Sequence, residues 1–318
     1  MNSNHIHGLA ATTRASNIPS VAGNVILGAV VCVATYPHAQ DAELLAPIIT
    51  LILAGIFLYL SGNFFNDWAD RNWDALNRPE RALPRALFPP KLYLFLALSG
   101  GGLGLAFSAT INLYTLISSL LLVGCILLYT WLHKRCAAAV ILMGLCRTLL
   151  PVMGYFGLAP QELLSSPAWE TSLTTLALAS GSLFCHIAGL SLGARRESAP
   201  AMNGQAKRFD WLLYPSAALL MFVAAFHFLR LPPLACMVGL VPYAIWIVLC
   251  LTLFRKPISA RVSRLLAGIP LVDWMLLLPI ILALGSGTLH EPFALICGLF
   301  SPLAFISALA LQRHSPAT

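Results

Sequence analysis

The chain has 318 residues, of which 58% are hydrophobic and only 10% charged, and its mean hydropathy is +0.81. A water-soluble core of that size needs a charged surface to cover it, so the composition excludes a soluble globular protein and makes a bilayer the solvent. The net charge of +7 is dealt out among separate short loops, which excludes a nucleic-acid-binding face and instead reports topology and contact with the anionic head groups of membrane lipids.

Residues 1–16, MNSNHIHGLAATTRAS, read as a short polar tail without the apolar stretch of a signal peptide, so the first apolar run is expected as a retained span. Apolar runs long enough to cross roughly 30 Å of hydrocarbon then recur near 18–36, 43–65, 91–109, 112–132, 137–158, 171–192, 211–229, 233–254, 265–285 and 292–311. They predict an all-α, polytopic membrane bundle of nine to ten transmembrane helices in one domain, 17–312, with 313–318 as a C-terminal tail. The pair split by Gly285–Glu291 decides between nine and ten. Of the 19 lysines and arginines, all but Arg147 and Arg230 fall on one side of the ten-span arrangement. The positive-inside rule makes that side cytoplasmic, with both termini inside, and the membrane is expected to be the bacterial inner membrane. The eight cysteines are scattered through apolar runs with no CxxC, and read as buried thiols with neither a disulfide framework nor a zinc site.

The second run passes directly into GNFFNDWADRNWDALNRPERALPR, Gly62 to Arg85. At 100° per residue, Tyr59, Asn63, Asn66, Asp67, Asp70 and Asp74 share one helix face. Three carboxylates on one face repel each other unless a cation sits among them, and carboxylate and amide oxygens suit Mg²⁺, which keeps several waters and shares substrate phosphates. The plainer reading is a solvated helix end with salt bridges to Arg71 and Arg78. Acids at the mouth of a span tend to be functional, however, and Arg71, Arg78, Arg81 and Arg85 follow at once. A divalent metal beside guanidinium forks is what a diphosphate requires.

Further along, Arg147 lies about ten residues into its run and Asp273 is similarly deep in the ninth. They form a buried pair, or Arg147 contacts substrate. His186 is a hydrogen-bonded bundle residue, or a base or ligand.

The pattern Asn66-Asp67-x-x-Asp70-x-x-x-Asp74, followed by Asn77-Arg78-Pro79-x-Arg81-x-x-Pro84, resembles the first signature of the UbiA superfamily of intramembrane prenyltransferases. It stands at the cytoplasmic end of the second span, where that family carries it. PSVAGNVILG, Pro19 to Gly28, resembles the family's first span with Asn24 facing inward, and Tyr129-x-x-x-x-Lys134-Arg135 resembles its loop after the fourth span. The resemblance covers roughly residues 15–285. It implies helices around a central, lipid-open cavity, with Mg²⁺ held by Asn66, Asp67, Asp70 and Asp74. It also implies transfer of a prenyl chain from a prenyl diphosphate to an aromatic or other lipophilic acceptor. Asp67, Asp70, Arg71 and Glu197 are then the expected catalytic residues. Asn24, Tyr59, Asn63, Arg78, Arg81, Tyr129, Lys134, Arg147, His186, Arg195 and Arg196 are the expected substrate-binding residues. Lys134 and Arg135 are either topology charges or a cover over the diphosphate, and Tyr59 and Tyr129 are either interfacial rings or π faces near a forming allyl cation.

One part departs from the family pattern. The family's second motif, Asp-x-x-x-Asp at the end of the sixth span, falls on HIAGLSLGARRES, His186 to Ser198, where Gly193 and Glu197 occupy its spacing. Three readings stand. Glu197 alone holds a second metal weakly, or Arg195 and Arg196 replace that metal's charge, or catalysis is lost and the cavity serves binding. The run SLGARRES resembles the UbiA-like proteins of bacterial Ebo-type metabolite clusters. The alternative to transfer is therefore non-catalytic binding or transport of an isoprenoid-like or secondary-metabolite precursor on the same scaffold.

Overall fold

The computed structural model describes residues 3–36, 43–198, 210–283 and 291–313, with the backbone alone for 3, 4, 164, 196–198 and 291–296. The apolar runs fold as helices: α1 Ser3–Thr13, α2 Ile18–Thr35, α3 Leu45–Asn77, α4 Pro90–Ile111, α5 Leu113–Leu132, α6 Ala139–Leu158, α7 Trp169–Ser198, α8 Leu213–Val223, α9 Pro233–Leu251, α10 Ile258–Ala267, α11 Ile269–Leu282 and α12 Glu291–Leu311. Among the described residues there is no strand. Among the described residues nine helical stretches are long and apolar enough to cross a membrane, and Cys297–Leu311 of α12 is a shorter apolar piece. The eight cysteines are free.

Local chemistry sets the helix ends. Prolines at the first turns of α2, α4 and α9 supply a preset φ where no N–H is needed. Asn112 turns the chain between α4 and α5: its Oδ1 accepts from Thr115 N at 2.8 Å, and its Nδ2 donates to Phe156 O of α6. No breaker separates the apolar part of α3 from its acidic part, so the helix runs on for 33 residues, about 50 Å at 1.5 Å per residue. It stops at Arg78, which precedes Pro79 and leaves the helical region (φ −142°). The sequence reading ends this span at 65. The structure carries it to Asn77 as one rod, which puts the acids on a helix stiffened by the membrane core. Residues read as a polar tail form α1, pinned to α4 by a hydrogen bond between Thr12 Oγ1 and Tyr93 OH at 2.7 Å.

Helix α2 is the axis of the bundle, and every residue from Ser20 to Val33 is buried. It meets α6 backbone to backbone. A Cβ on Gly28 would stand 1.8 Å from Pro151 O, and one on Gly154 would stand 2.1 Å from Val25 O. Only glycine permits so close a crossing, and small residues at helix contacts are how membrane bundles gain packing. One apolar cluster gathers α2, α7, α8, α9 and α11, and a second gathers α2, α3, α5 and α6. Between them a cavity opens toward the end of the bundle that carries the acidic turns of α3.

Candidate active site

The cavity has a volume of about 690 Å³. Tyr59, Asn63, Asn66, Asp70 and Asp74 of α3 line it, joined by Trp73. Asn66, Asp67, Asp70 and Asp74 are all at least 91% buried, because this face turns into the bundle. Each carboxylate is met by a cation of the chain. Lys134 Nζ lies 2.7 Å and His133 Nε2 3.0 Å from Asp70, Arg81 Nη1 lies 2.9 Å from Asp74 and 3.4 Å from Asp67, and Arg14 Nη2 lies 3.7 Å from Asp67.

Asp67 does not line the cavity. It sits at the edge of the acidic stripe nearest α1, between Arg14 and Arg81, so it braces those arginines where the sequence reading makes it a metal ligand. Arg14, read from the sequence only as a topology charge, is part of the site. It adopts the left-handed conformation (φ 45°, ψ 51°) between α1 and the turn before α2. Its Nη1 donates to Asn63 Oδ1 at 2.8 Å and its carbonyl accepts from Tyr59 OH at 3.2 Å, while Asn63 Nδ2 donates to Thr13 O. His133, also missed, could have been found from its place beside Lys134 in the loop after the fourth span.

The donor set suits Mg²⁺. Asn66 Oδ1 is buried with no hydrogen-bond partner, and Asn66 Nδ2 reaches Asp70 at 3.5 Å. A buried acceptor left unpaired is costly, and this one belongs to a residue that lines the cavity beside Asp70. Among the described residues no three His, Cys, Asp or Glu side chains converge to enclose a metal. Mg²⁺ fits that finding, since it takes one or two carboxylates and completes its shell with water and phosphate oxygens.

Opposite α3, the cavity wall formed by α7 comes from Ile187, Leu190, Ser191, Ala194 and Arg195. Gly193 is not part of it and packs toward Asp210, whose Oδ2 would lie 3.8 Å from a Cβ at that position. The Asp-x-x-x-Asp spacing read onto Gly193 and Glu197 thus starts off the cavity wall. The side chains of Arg196 and Glu197 lie outside the described residues. Arg195 lines the cavity and donates through Nη1 to His133 O at 3.1 Å and Cys136 O at 2.9 Å, tying α7 to the loop between α5 and α6. Arg78, Arg81, Lys134 and Tyr129 also line the mouth, and Tyr129 stacks on His133 with ring centroids 5.0 Å apart.

Deeper, the lining becomes apolar, with Leu122, Ile126, Met143, Leu150 and Ile187 and one charge, Arg147. Arg147 does not meet Asp273 directly. Its Nη1 donates to Ser20 Oγ at 3.1 Å and Asn24 Oδ1 at 3.2 Å, and Asn24 Nδ2 donates to both oxygens of Asp273 at 2.9 and 3.0 Å. Asn24, expected to touch substrate, is fully buried behind the wall and acts as the bridge.

Two more expectations are corrected. Arg71 turns away from the cavity: its Nη1 donates to Trp68 O, and its guanidinium lies 4.8 Å from the Trp68 ring. His186 is fully buried between Tyr243 OH (3.1 Å) and Leu265 O (3.0 Å), with both ring nitrogens engaged and no cavity exposure, so it is a bundle residue.

The site is thus an oxygen-rich, cation-ringed mouth above an apolar interior, within a membrane bundle. The chain belongs to the UbiA prenyltransferase family, whose sequence model matches residues 24–267. It is 35% identical over 89 residues to the digeranylgeranylglyceryl phosphate synthase of Thermococcus onnurineus (28% of this chain, 30% of that protein). It is 33% identical over 109 residues to the enzyme of that name from Thermococcus gammatolerans (34% and 37%). These matches span only about a third of the relatives' own length. In fold, the chain is similar to the apo structure of a UbiA homologue from Aeropyrum pernix K1, with a TM-score of 0.65 and 20% identity over 80% of this chain and 94% of that one.

Proposed function

We propose that this protein transfers a prenyl group, with Mg²⁺, from a prenyl diphosphate to a lipophilic acceptor within the membrane. The observation that carries the reading is the unpartnered, buried Asn66 Oδ1 beside Asp70, in a cavity mouth where the chain's own cations outnumber its acids. Asn66 and Asp70 would hold the ion, with Asp74 adjacent. When bound, Mg²⁺ supplies charge neutralisation at the diphosphate oxygens.

The side chains divide the remaining work. Arg78, Arg81, Lys134 and Arg195 bind and orient the diphosphate, and their fixed charge stabilises it as it departs. The carbon–oxygen bond breaks with its electron pair leaving on the diphosphate. The Tyr59 and Tyr129 rings face the allyl cation that forms. The apolar wall around Leu122, Ile126 and Leu150 holds the chain and keeps water from the cation. The acceptor's electron pair then closes the new bond and the acceptor sheds a proton. Arg195, on the wall where the family's second aspartate motif is expected, takes the place of a second metal.

The orientation we propose counts α12 as a tenth span and puts the acid-bearing mouth and both termini in the cytoplasm, following the lysine and arginine distribution. The membrane would be a prokaryotic plasma membrane, the bacterial inner membrane in the sequence reading, although the relatives matched are archaeal.

The test is diphosphate release from geranylgeranyl diphosphate by the full-length protein in lipid nanodiscs, with and without Mg²⁺, for wild type and Asp70→Asn. Mg²⁺-dependent release that Asp70→Asn abolishes is expected. Tight Mg²⁺-dependent binding with no release for any acceptor would instead establish the carrier reading.

A further inference from the structure

We propose that the outer groove between α9, α11 and α12 holds an acyl chain of an anionic phospholipid, whose head group rests on Arg255, Lys256 and Arg264. The site is separate from the central cavity and does not depend on the prenyltransferase reading. The groove has a volume of about 320 Å³ and is walled by Pro242 and Trp246 of α9, Leu271 and Trp274 of α11, and Pro302 and Phe305 of α12. Ligand pockets run from about 300 to 1,000 Å³, so it takes one chain segment and leaves the head group outside. Its lips, Ile245 and Ile306, are 55% and 60% exposed, so it opens outward, toward the hydrocarbon of the bilayer.

The walls are fixed by contacts across the three helices and α10. Trp246 Nε1 donates to Arg264 O at 3.0 Å, and its ring meets that of Phe305 edge-on with centroids 4.8 Å apart. Gln312 Nε2 donates to Ser263 O at 2.6 Å, which fastens the end of α12 to α10. Trp274 lines the groove as well, and its buried Nε1 has no hydrogen-bond partner among the described residues. A donor left unpaired in a membrane bundle is costly. An occupant with ester carbonyls brings the acceptor that the protein does not.

Charge chooses among lipids. Trp246 lies five residues before the end of α9 at Leu251, about 8 Å along the helix, so the groove begins just below the level where the chain turns polar. Past that end no acid occurs between Thr252 and Gly268, whereas Arg255, Lys256, Arg261 and Arg264 do. Arg255 and Lys256 are exposed and form no ion pair among the described residues. Arg264 Cζ stands 4.1 Å from the centre of the Phe254 ring, and that ring lies 6.0 Å from Trp246, which sets a cation near the groove wall. Each such cation raises affinity for an anionic head group by about fivefold, and a zwitterionic one gains little. Val262 and Leu266 of α10 line the central cavity, so a head group held on α10 bears on that wall from outside.

The experiment is native mass spectrometry of the full-length protein, exchanged into micelles that contain equimolar dioleoylphosphatidylglycerol and dioleoylphosphatidylcholine. Wild type is expected to retain one phosphatidylglycerol, with a preference over phosphatidylcholine of about fivefold or more. In the double variant Arg255→Gln, Lys256→Gln the preference should fall below about twofold. Ile245→Trp fills the groove from its lip and leaves the cations in place, and it should cut the retained phosphatidylglycerol by about fivefold or more. All three positions are exposed, so the variants should keep the wild-type melting temperature. If Ile245→Trp does not, Ile306→Trp on the opposite lip takes its place. A wild-type preference near one overturns the proposal. So does a preference unchanged in the charge variant, or a retained lipid unchanged in the folded groove variant.

Discussion

Replacing Lys134 with methionine should tighten Mg²⁺ binding to the protein alone and weaken binding of the prenyl diphosphate. In the structure Lys134 Nζ stands 2.7 Å from Asp70 Oδ1 and 4.0 Å from the centre of the Trp73 ring, so it occupies the flank of Asp70 that a metal would use. Two unit charges at about 4 Å interact by about 4 kcal/mol at an effective dielectric constant near 20. Exposed pairs deliver about 1 kcal/mol or less after screening and ordering. Lys134 is 28% and Asp70 10% exposed, between those limits, and a value near 1.4 kcal/mol corresponds to tenfold. Titrating Mg²⁺ into the protein without diphosphate should therefore show an affinity five- to tenfold higher in Lys134→Met than in wild type, with Asp70→Asn as the blank. The same variant should bind geranylgeranyl diphosphate in Mg²⁺ several-fold more weakly, because the lysine freed from Asp70 is lost to the diphosphate. If Mg²⁺ affinity is unchanged or falls, Lys134 is not competing with the metal and the assignment of Asp70 as a ligand is wrong.

Three other outcomes are expected. Asp70→Asn should cut Mg²⁺-dependent prenyl diphosphate binding far more than Asp67→Asn, whereas Asp67→Asn should lower the melting temperature more, since it removes the buried charge that Arg14 and Arg81 share at about 1–3 kcal/mol; paired calorimetry and thermal melts check both. Gly28→Ala should cost about 1–3 kcal/mol or prevent assembly, because its methyl meets the Pro151 carbonyl, and detergent-solubilised yield and melting temperature measure it. Removing Mg²⁺ with EDTA should abolish prenyl diphosphate binding but barely move the melting temperature, since Asp67, Asp70 and Asp74 already have cations of the chain as partners.

The helices were legible because hydrophobic length is a local property, and so was the stripe from Tyr59 to Asp74, which follows from helical phase alone. What the sequence hid was partner choice across long separations. Arg147 and Asp273 could be matched by depth, but nothing in their runs reveals that Asn24 stands between them. Arg14 counted only as a topology charge because its role depends on α1 folding back over α3. The cavity face of α7 was misjudged for a different reason. A helix buried on several sides is apolar nearly all round, so its pattern does not say whether Gly193 or Ser191 looks inward, and family spacing was the only guide. The same ambiguity left His186 open between a bundle residue and a base or ligand.

The length of α3 has one more consequence. A rod of about 50 Å outruns a hydrocarbon slab of about 30 Å, so a single rigid element joins the oily interior to the watery layer above it. In the proposed reaction a head group released at the upper turns would already be among ions and could diffuse off without crossing fat. In that reaction the prenylated product, freed of the diphosphate and carrying a long apolar chain, would stay below. The two halves of the reaction would then part company by solubility, with no moving gate needed to sort them.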